Sequence, residues 1–267
     1  MRIALTGATG RIGGMVAPLL SAAGHDLDLL PGWRLGDSPD LSGAEALIHL
    51  ALAHAPGRYR GGEGDDPAGF RAANLDGTLR LWDAAVRAGV RRVVFLSSRA
   101  VHDGHPPGMR LPDDLPPAPT TLYGEVKARA EAALADRPLT GTSLRATGVY
   151  GPGPANKWAP LFADYLAGRP VAPQVATELH GGDLAAAILL ILSADHPPAT
   201  LNASDLILDR HDLLTGVAAL TGCPHPPPPR AEAGNLRVPD CAGLHAMEWN
   251  PRGKEGLEAA LPGLIAA

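Results

Sequence analysis

A tyrosine and a lysine, preceded along the chain by a pair of serines, are of residue types that could carry a proton transfer. Tyr123 and Lys127 stand at positions i and i+4 of a segment with helical spacing, so both side chains project from one helix face. A nearby ammonium favours the phenolate and lowers the pKa of a tyrosine from its usual value near 10. Such a tyrosine exchanges a proton with a substrate hydroxyl or carbonyl, and Ser98 would hold that oxygen by a hydrogen bond.

A glycine-rich turn near the N-terminus could hold the partner of this proton transfer. Gly7, Gly10 and Gly13 follow the apolar run Ile3-Ala4-Leu5 and open a segment that can be helical. Glycine allows a sharp turn and a close ligand approach, and a helix N-terminus offers free N–H groups and a positive dipole end. This arrangement favours a dinucleotide pyrophosphate over a plain strand–helix turn. The predicted cofactor contacts here are Gly7, Thr9, Gly10, Arg11, Ile12 and Gly13.

These motifs resemble, in type and order, the extended short-chain dehydrogenase/reductase family, also called the NAD-dependent epimerase/dehydratase family. The resemblance is strong from Met1 to about Pro154, and weaker beyond, where it rests on residues 180–184 and 249–251. It implies catalytic roles for Ser98, Tyr123 and Lys127, with the asparagine of Asn74-x-x-Gly77-Thr78 bracing the active site, and cofactor contacts from Tyr123 and Lys127 as well. It also implies a homodimer through the helices around residues 70–88 and 123–135.

The expected fold is a doubly wound parallel α/β sheet of Rossmann type with a small C-terminal substrate lobe. We place the dinucleotide-binding domain at 1–153 and the lobe at 154–267, with some chain returning to the first domain. Buried parallel strands are predicted from near-continuous apolar runs. The predicted strands are 27–30, 46–51, 90–96 and 142–150, and the predicted helices include 70–87, ended by Gly89, and 123–135. The polar loop 56–69 is long enough to serve as a lid, although many such loops are merely disordered.

The choice between NAD and NADP is left open by the second strand. The dinucleotide fingerprint places an acidic residue near the end of this strand, where it bonds the adenosine ribose. No carboxylate stands at that place here, and Arg34 could meet a 2′-phosphate or simply be a solvated loop arginine. By resemblance, Asp37 would lie by the adenine, and the backbone of Leu50 and Ala51 would line the cofactor.

The predicted reaction is the interconversion of a secondary alcohol and a ketone on a sugar, sugar acid or polyol. A nucleotide-sugar epimerase is the alternative, and a non-catalytic dinucleotide-sensing protein is the second alternative. We expect a compact substrate because Glu178, just before the family's His-Val-Asp-Asp position, would repel a diphosphate. The predicted substrate contacts are Ser98, Arg99, Arg145, Asn156 and Lys157.

The composition of the chain limits the partners, the location and the kinds of site that we expect. The 267 residues carry a net charge of −5 without a basic cluster, which argues against nucleic acid or an anionic membrane as partner. No apolar run is long enough for a membrane span, and no signal peptide is evident, so a cytoplasmic enzyme is expected. Cys223 and Cys241 stand singly, and His102 and His105 lack a third ligand, so no metal site is predicted.

Overall fold

The structure of the protein is a computed structural model that describes residues 1–55, 62–153 and 156–266. Most strands fall on the apolar runs of the sequence, since strands of a parallel sheet are covered on both faces. In chain order the strands are β1 (Arg2–Thr6), β2 (Asp26–Asp28), β3 (Ala46–His49), β4 (Arg92–Ser98), β5 (Arg110–Leu111), β6 (Thr140–Ala146), β7 (Gly148–Tyr150), β8 (Val175–His180), β9 (Thr200–Ala203), β10 (Leu206–Asp209) and β11 (Val238–Pro239).

Helices connect these strands. A π-helical turn (Ala72–Asp76) joins the second helix to the third, and a 3-10 turn (Arg99–His102) follows β4. In chain order the α-helices are α1 (Arg11–Ala22), α2 (Pro67–Arg71), α3 (Gly77–Ala88), α4 (Leu122–Ala135), α5 (Ala159–Leu166), α6 (Gly181–Ser193), α7 (Arg210–Thr221), α8 (Ala242–Ala246) and α9 (Gly253–Ile265). Within the described ranges, none of them combines the length and apolarity needed to cross a bilayer.

Six parallel strands form the central sheet, in the order β2-β1-β3-β4-β6-β9. The order reverses beside β1: β2 lies on one side of it, and the later strands extend from the other side. Open α/β sheets bind ligands at such a switch point, beyond the carboxyl ends of the strands. Thr6 at the end of β1 pairs with His49 at the end of β3. The segments that follow these two strands therefore meet at the switch point.

Successive residues of each strand face opposite layers, so both sides of the sheet are covered. Ile3 and Leu5 belong to a core with α1 and α6, whereas Ala4 belongs to a second core with α3 and α4. The predicted doubly wound parallel sheet is thereby confirmed. A third core, built mainly from α5, α7 and α9, lies largely within the predicted lobe. β9 returns to the central sheet, and the predicted boundary at residue 154 falls outside the described residues, so it stays a prediction.

All four predicted strands differ from the structure in their bounds. β3 ends at His49, two residues before the predicted end, and β4 begins and ends two residues later than predicted. β2 ends at Asp28 instead of Leu30, because Leu30 takes a positive φ of 48° and accepts a hydrogen bond from the Trp33 N–H in a turn. The predicted strand 142–150 is divided between β6 and β7, which lie in different sheets, since β7 pairs with β8. The division lies at Thr147, whose N–H bonds to the Ala203 carbonyl.

The predicted helix 70–87 is also divided. It consists of the end of α2, the π-helical turn and α3, and it closes as expected at Gly89, whose φ of 70° is left-handed. Asn74 lies inside the π-helical turn, and such turns often occur at functional sites. Of the predicted loop 56–69, residues 56–61 lie outside the described residues and α2 begins at Pro67, so the lid stays a prediction.

Candidate functional site

The glycine turn lies at the switch point of the sheet. Gly7 has a φ of +73°, and a Cβ built on it would lie 2.6 Å from the Ala51 nitrogen. A Cβ on Gly13 would lie 2.2 Å from the Gly7 oxygen, so neither position accepts a side chain. Gly7 brings the turn into direct contact with the backbone of Leu50 and Ala51, the segment predicted to line the cofactor, and Gly13 packs the start of α1 on the backbone of Gly7 and Ala8. A Cβ at Gly10 would have only the Gly7 oxygen, at 3.3 Å, within 4 Å of it among the described atoms.

Helix α1 begins directly after this turn. Gly10 is its N-cap residue and makes no side-chain capping bond, and its first turn carries no acidic side chain. The first N–H groups of a helix have no partner within it, and the dipole favours an anion there. The open space at Gly10, between Thr9 and the start of α1, therefore fits the pyrophosphate of a dinucleotide. Arg11 and Ile12 occupy the first positions of the helix.

Hydrogen bonds fix the segment after β3. His49 bonds to the Thr6 hydroxyl through Nδ1 at 2.6 Å and to the Thr78 hydroxyl through Nε2 at 3.0 Å. Complete burial lowers the pKa of His49 to about 3, so its ring is neutral. The Asn74 side chain accepts from the Ala53 N–H and donates to the Ala53 carbonyl, both at 2.8 Å. Asn74 thus braces the chain two residues beyond Ala51, and its predicted role at the active site stays a prediction.

Helix α4 lies against the end of β4. The Lys127 ammonium donates to the Leu96 carbonyl at 2.7 Å. At the other end of the contact, a Cβ on Gly124 would lie 2.6 Å from the Ala100 carbonyl oxygen, so the helix backbone touches the chain there. These contacts lie two residues before and two residues after Ser98. They hold Tyr123, the neighbour of Gly124, and Lys127 at the strand end that carries Ser98.

Lys127 is almost completely enclosed. Its side chain lies over the Phe95 ring, with Nζ 4.6 Å from the ring centroid. Burial lowers the pKa of Lys127 to about 8, and the Glu131 carboxylate, one helical turn further along α4, opposes that shift. The ammonium is therefore charged near neutral pH and loses its proton in mildly basic solution.

Arg145 lies inside the protein, although substrate contact was predicted for it. Its guanidinium forms a buried ion pair with Glu131 at 2.8 Å. Its NH1 group contacts His102 and donates to the carbonyls of Asp113 and Leu115. The side chain is 3% exposed. These partners enclose the guanidinium and argue against the predicted substrate contact of Arg145, which stays a prediction.

Lys157 and Asn156 are also engaged within the protein. Lys157 forms an ion pair with Glu178, and both side chains are largely buried. The Asn156 side chain donates to the Leu264 carbonyl at 2.7 Å and accepts from the Trp158 N–H at 3.0 Å. These contacts engage both side chains within the protein, and the predicted substrate contact of Asn156 and Lys157 stays a prediction. They also remove the argument from Glu178, since Lys157 neutralises the carboxylate that was expected to repel a diphosphate.

The ion pair of Lys157 and Glu178 lies beside the glycine turn. Arg11 is close enough to Lys157 to contribute, after burial, to lowering its pKa, while Glu178 raises it. A Cβ on Gly148 would lie 2.6 Å from Glu178 Oε2 and 2.8 Å from Lys157 Nζ, so glycine makes room for the pair. The ion pair is thus within electrostatic range of Arg11, the first residue of α1.

The remaining predicted contacts lie on loops and turns. Arg99, in the 3-10 turn after Ser98, pairs with Asp103 at 2.9 Å. Arg34 is exposed, and its backbone N–H donates to the Asp37 carboxylate at 3.0 Å. The nearest acidic residue of β2, Asp28, pairs in register with Ala4 and contacts Arg2, below the level of the glycine turn. The structure thus agrees that β2 brings no carboxylate to the expected ribose position.

The two weaker motif segments of the C-terminal half meet in the fold. The indole of Trp249 donates to the Asp183 carbonyl at 2.9 Å, and Arg252 Nε donates to the Asp183 carboxylate at 2.9 Å. Gly181, at the start of α6, packs on Met15 of α1, and a Cβ there would lie 2.5 Å from the Met15 sulfur. The C-terminal segment is thus tied to α6, and α6 to the cofactor helix.

Sequence reasoning missed several residues that shape the site. Gly124 and Gly148 permit close contacts that only their tertiary neighbours reveal. Glu131 is one helical turn beyond Lys127, and this spacing was a signal that could have found it. Its partner Arg145 lies on another element, so the pair itself was not visible in the sequence.

Comparison with known proteins agrees with this geometry. The model of a family described as "NAD dependent epimerase/dehydratase family" matches residues 3–203. The UDP-glucose 4-epimerase of Corynebacterium glutamicum is 27% identical over 179 residues, covering 57% of this chain and 53% of that protein. The UDP-glucose 4-epimerase of Mycolicibacterium smegmatis is 30% identical over 161 residues, covering 50% of each. The chain therefore spans about half the length of these relatives in the match.

Solved structures match over the whole chain. The UDP-glucose 4-epimerase of Thermus thermophilus in complex with NAD is 25% identical, with a TM-score of 0.80 and complete coverage of both chains. MoeE5 in complex with UDP-glucuronic acid and NAD is 26% identical, with a TM-score of 0.79, and the match covers 100% of this chain and 98% of that one. RMD from Pseudomonas aeruginosa, complexed with NADPH, shares the fold at 23% identity and a TM-score of 0.79 over 99% and 97% of the two chains.

Proposed function

Because the chain belongs to the NAD-dependent epimerase/dehydratase family, we propose that it is an NAD(P)-dependent oxidoreductase that epimerises the sugar of a UDP-sugar. The observation that carries the reaction type is α4 held against the end of β4, with Lys127 bonded to the Leu96 carbonyl and Gly124, next to Tyr123, packed on the Ala100 carbonyl. The UDP-glucose 4-epimerases among its relatives favour a nucleotide sugar over the compact sugar or polyol expected from the sequence.

The glycine turn supports the cofactor part of the proposal. The backbone of Gly7 to Gly13, the first N–H groups of α1 and the adjacent backbone of Leu50 and Ala51 would hold the dinucleotide. Bound in this position, the oxidised nicotinamide supplies the hydride acceptor of the reaction. Both NAD and NADP remain compatible with β2, whose terminal Asp28 contacts Arg2 and accepts from the Leu30 N–H, and with the exposed Arg34.

Three side chains perform the proton chemistry. Ser98 holds the substrate oxygen at the end of β4, and the Tyr123 phenolate removes the hydroxyl proton as the carbonyl forms. The charged Lys127, one helical turn away, favours the phenolate form of Tyr123 and is kept in place by the Leu96 carbonyl. An epimerase uses this proton transfer in both directions, because the ketone must be reduced again with the opposite configuration.

The charge arrangement of the lobe is compatible with a diphosphate. Lys157 neutralises Glu178, and the cation of Arg11 is close enough to act on Lys157. A diphosphate entering beside Arg11 would therefore meet a balanced ion pair instead of an isolated carboxylate. This balance supports the nucleotide-sugar substrate, which the sequence alone disfavoured.

Product analysis with UDP-glucose and NAD tests the proposal. We expect the enzyme to convert UDP-glucose into UDP-galactose without net accumulation of reduced nicotinamide, and UDP to bind in calorimetric titration. Net reduction of the cofactor with a free sugar, sugar acid or polyol, together with absent UDP binding, would favour the compact substrate. Cofactor binding without turnover of either class would favour a dinucleotide-sensing protein.

Replacement of Tyr123 tests the mechanism in the same assay. Tyr123→Phe keeps the ring but removes the acid, so we expect turnover to fall by roughly 10²–10⁴ while cofactor affinity is kept. Tyr165→Phe is the matched control, because the Tyr165 hydroxyl donates to the His225 carbonyl in the lobe and has no role in the reaction. Full activity of the Tyr123 variant would refute the assigned proton transfer.

The subunit arrangement and the location of the protein stay predictions. The homodimer would form through α3 and α4, whose inner faces pack on the second core of the central sheet. We also propose that the enzyme acts in the cytoplasm. Analytical ultracentrifugation over a range of protein concentrations tests the dimer, and a sedimentation coefficient that stays at the monomer value would exclude it.

A further inference from the structure

Helix α4 buries a carboxylate that the proposed reaction does not use. Glu131 follows Lys127 by four residues, so the two side chains share one face of the helix. Both are almost completely buried, with relative exposures of 6% for Glu131 and 5% for Lys127. A carboxylate at this depth requires partners, because an isolated buried charge is strongly disfavoured.

Glu131 is held by two neighbouring strands. The Ser97 hydroxyl, at the end of β4, donates to Oε1 in a short contact. Arg145 of β6 donates to both carboxylate oxygens through Nε at 3.1 Å, and to Oε2 through NH2 at 2.8 Å. Arg145 is itself anchored by the carbonyls of Asp113 and Leu115. The position of the carboxylate is therefore fixed from two sides.

Net stability is a weak explanation for this ion pair. A buried ion pair adds little net stability compared with apolar residues of similar volume. What an apolar pair cannot supply is a fixed negative charge one turn from Lys127. Burial disfavours the charged form of Lys127, and Glu131 is the group that opposes this effect.

The other titratable groups around Lys127 do not supply that charge. His49 of β3 is neutral, and the presence of Lys127 adds to the effect of burial on it. Arg145 of β6 and His102 of the 3-10 turn lie beyond Glu131 and carry positive or no charge. Tyr123 stands on the same helix, and its phenolate form is itself favoured by the charge of Lys127.

We propose that Glu131 is a positioning residue that keeps the Lys127 ammonium charged at the candidate active site, with Ser97 and Arg145 fixing its carboxylate. The role of Lys127 in catalysis rests on the proposed function. The charge state of Lys127 does not, and it is measured in the protein without cofactor or substrate. Failure of this inference is therefore distinguishable from failure of the proposed function.

Side-chain NMR of lysine provides the measurement. The chain has three lysines, Lys127, Lys157 and Lys254, so a protein with isotope-labelled lysine side chains gives three signals to follow with pH. The Lys127→Met variant assigns the signal of Lys127. We expect Lys127 to titrate near pH 8 in the wild-type protein and exposed Lys254 to serve as the internal reference.

Removal of the Glu131 charge is the decisive change. In Glu131→Gln we expect the Lys127 midpoint to fall by about one pH unit or more, because a nearby opposite charge is lost. The midpoints of Lys157 and Lys254 should not change. Glu131→Asp, which keeps the charge, should restore most of the wild-type midpoint.

A second variant protects the test against loss of the fold, because Glu131→Gln leaves Arg145 without its buried partner. Glu131→Leu combined with Arg145→Met removes both charges, and we again expect a lower Lys127 midpoint, because of these two groups only Glu131 acts on the pKa of Lys127. In active variants, the basic limb of the pH–rate profile should move to lower pH. A purely structural role would lower activity equally at every pH. An unchanged Lys127 midpoint in either folded variant would overturn the inference.

Discussion

The glycine turn and Gly148, at the start of β7, both depend on a missing side chain, but with opposite results. At Gly13 the missing Cβ lets backbone meet backbone, and the N-terminus of α1 stays open toward a ligand. At Gly148 the missing Cβ makes room for two charged side chains, Lys157 and Glu178, which then satisfy each other. The same residue type therefore prepares a ligand surface in one region and a closed ion pair in the other. The outcome depends on the group that lies next to the missing Cβ, which is backbone at Gly13 and a pair of charged side chains at Gly148.

Separating the ion pair of the lobe should have the largest effect on stability. In Lys157→Met the buried Glu178 carboxylate loses its partner, so we expect the free energy of unfolding to fall by about 3 kcal/mol. Lys157→Met combined with Glu178→Leu removes both charges and should restore most of the loss. Chemical denaturation measures both variants. Equal losses of unfolding free energy in the single and double variants would show that the uncompensated Glu178 charge is not the cause of the loss.

Adding a methyl group at Gly13 and at Gly148 tests whether a clash with backbone destabilises the protein more than a clash with side chains. A Cβ at Gly13 strikes the Gly7 oxygen and the Ala8 backbone, which cannot move aside, so Gly13→Ala should destabilise the protein by about 1–3 kcal/mol and weaken cofactor binding. A Cβ at Gly148 strikes the ends of two flexible side chains, so Gly148→Ala should destabilise less.

Gly14→Ala is the matched control for the glycine turn. Nothing lies within 4 Å of the added methyl group in the described structure, and alanine favours a helix by up to about 1 kcal/mol over glycine. Thermal denaturation and fluorescence titration with NAD compare the three variants. A Gly148→Ala protein less stable than the Gly13→Ala protein would contradict the expectation that a clash with backbone costs more stability than a clash with side-chain ends.

A smaller effect concerns the pH dependence of stability in the N-terminal region. His49 has its pKa lowered to about 3, so between pH 6.5 and 3 the unfolded chain binds a proton that the folded protein excludes. His49 therefore lowers the free energy of unfolding by about 1 kcal/mol for each pH unit below 6.5. In denaturation from pH 7 to 5, His49→Asn should lose part of the pH slope, whereas exposed His196→Gln should keep it. Identical slopes of unfolding free energy with pH in the wild-type protein and both variants would show that folding does not prevent the protonation of His49.

The elements that the sequence predicted best are those whose signals are local. The apolar runs of β3 and β4, the left-handed Gly89 that ends α3, and the glycine turn depend on residues within one or two turns of each other. β2 and the divided strand of β6 and β7 were less predictable. Their ends depend on the turn at Leu30 and on the bond from Thr147 to Ala203, a residue far along the chain.

Among the candidate site residues, the sequence by itself determined the chemistry available at the ends of β1 and β4. The glycine spacing and the Tyr123–Lys127 spacing are local, and the structure keeps both at the carboxyl edge of the sheet. Only the tertiary structure decided which charged residues remain available to a ligand. Arg145 and Lys157 were expected to face the substrate, but Glu131 and Glu178, brought close by α4 and β8, enclose them. The physical reason is that a charged side chain leaves water only where an opposite charge compensates its desolvation, and that partner is set by packing between elements.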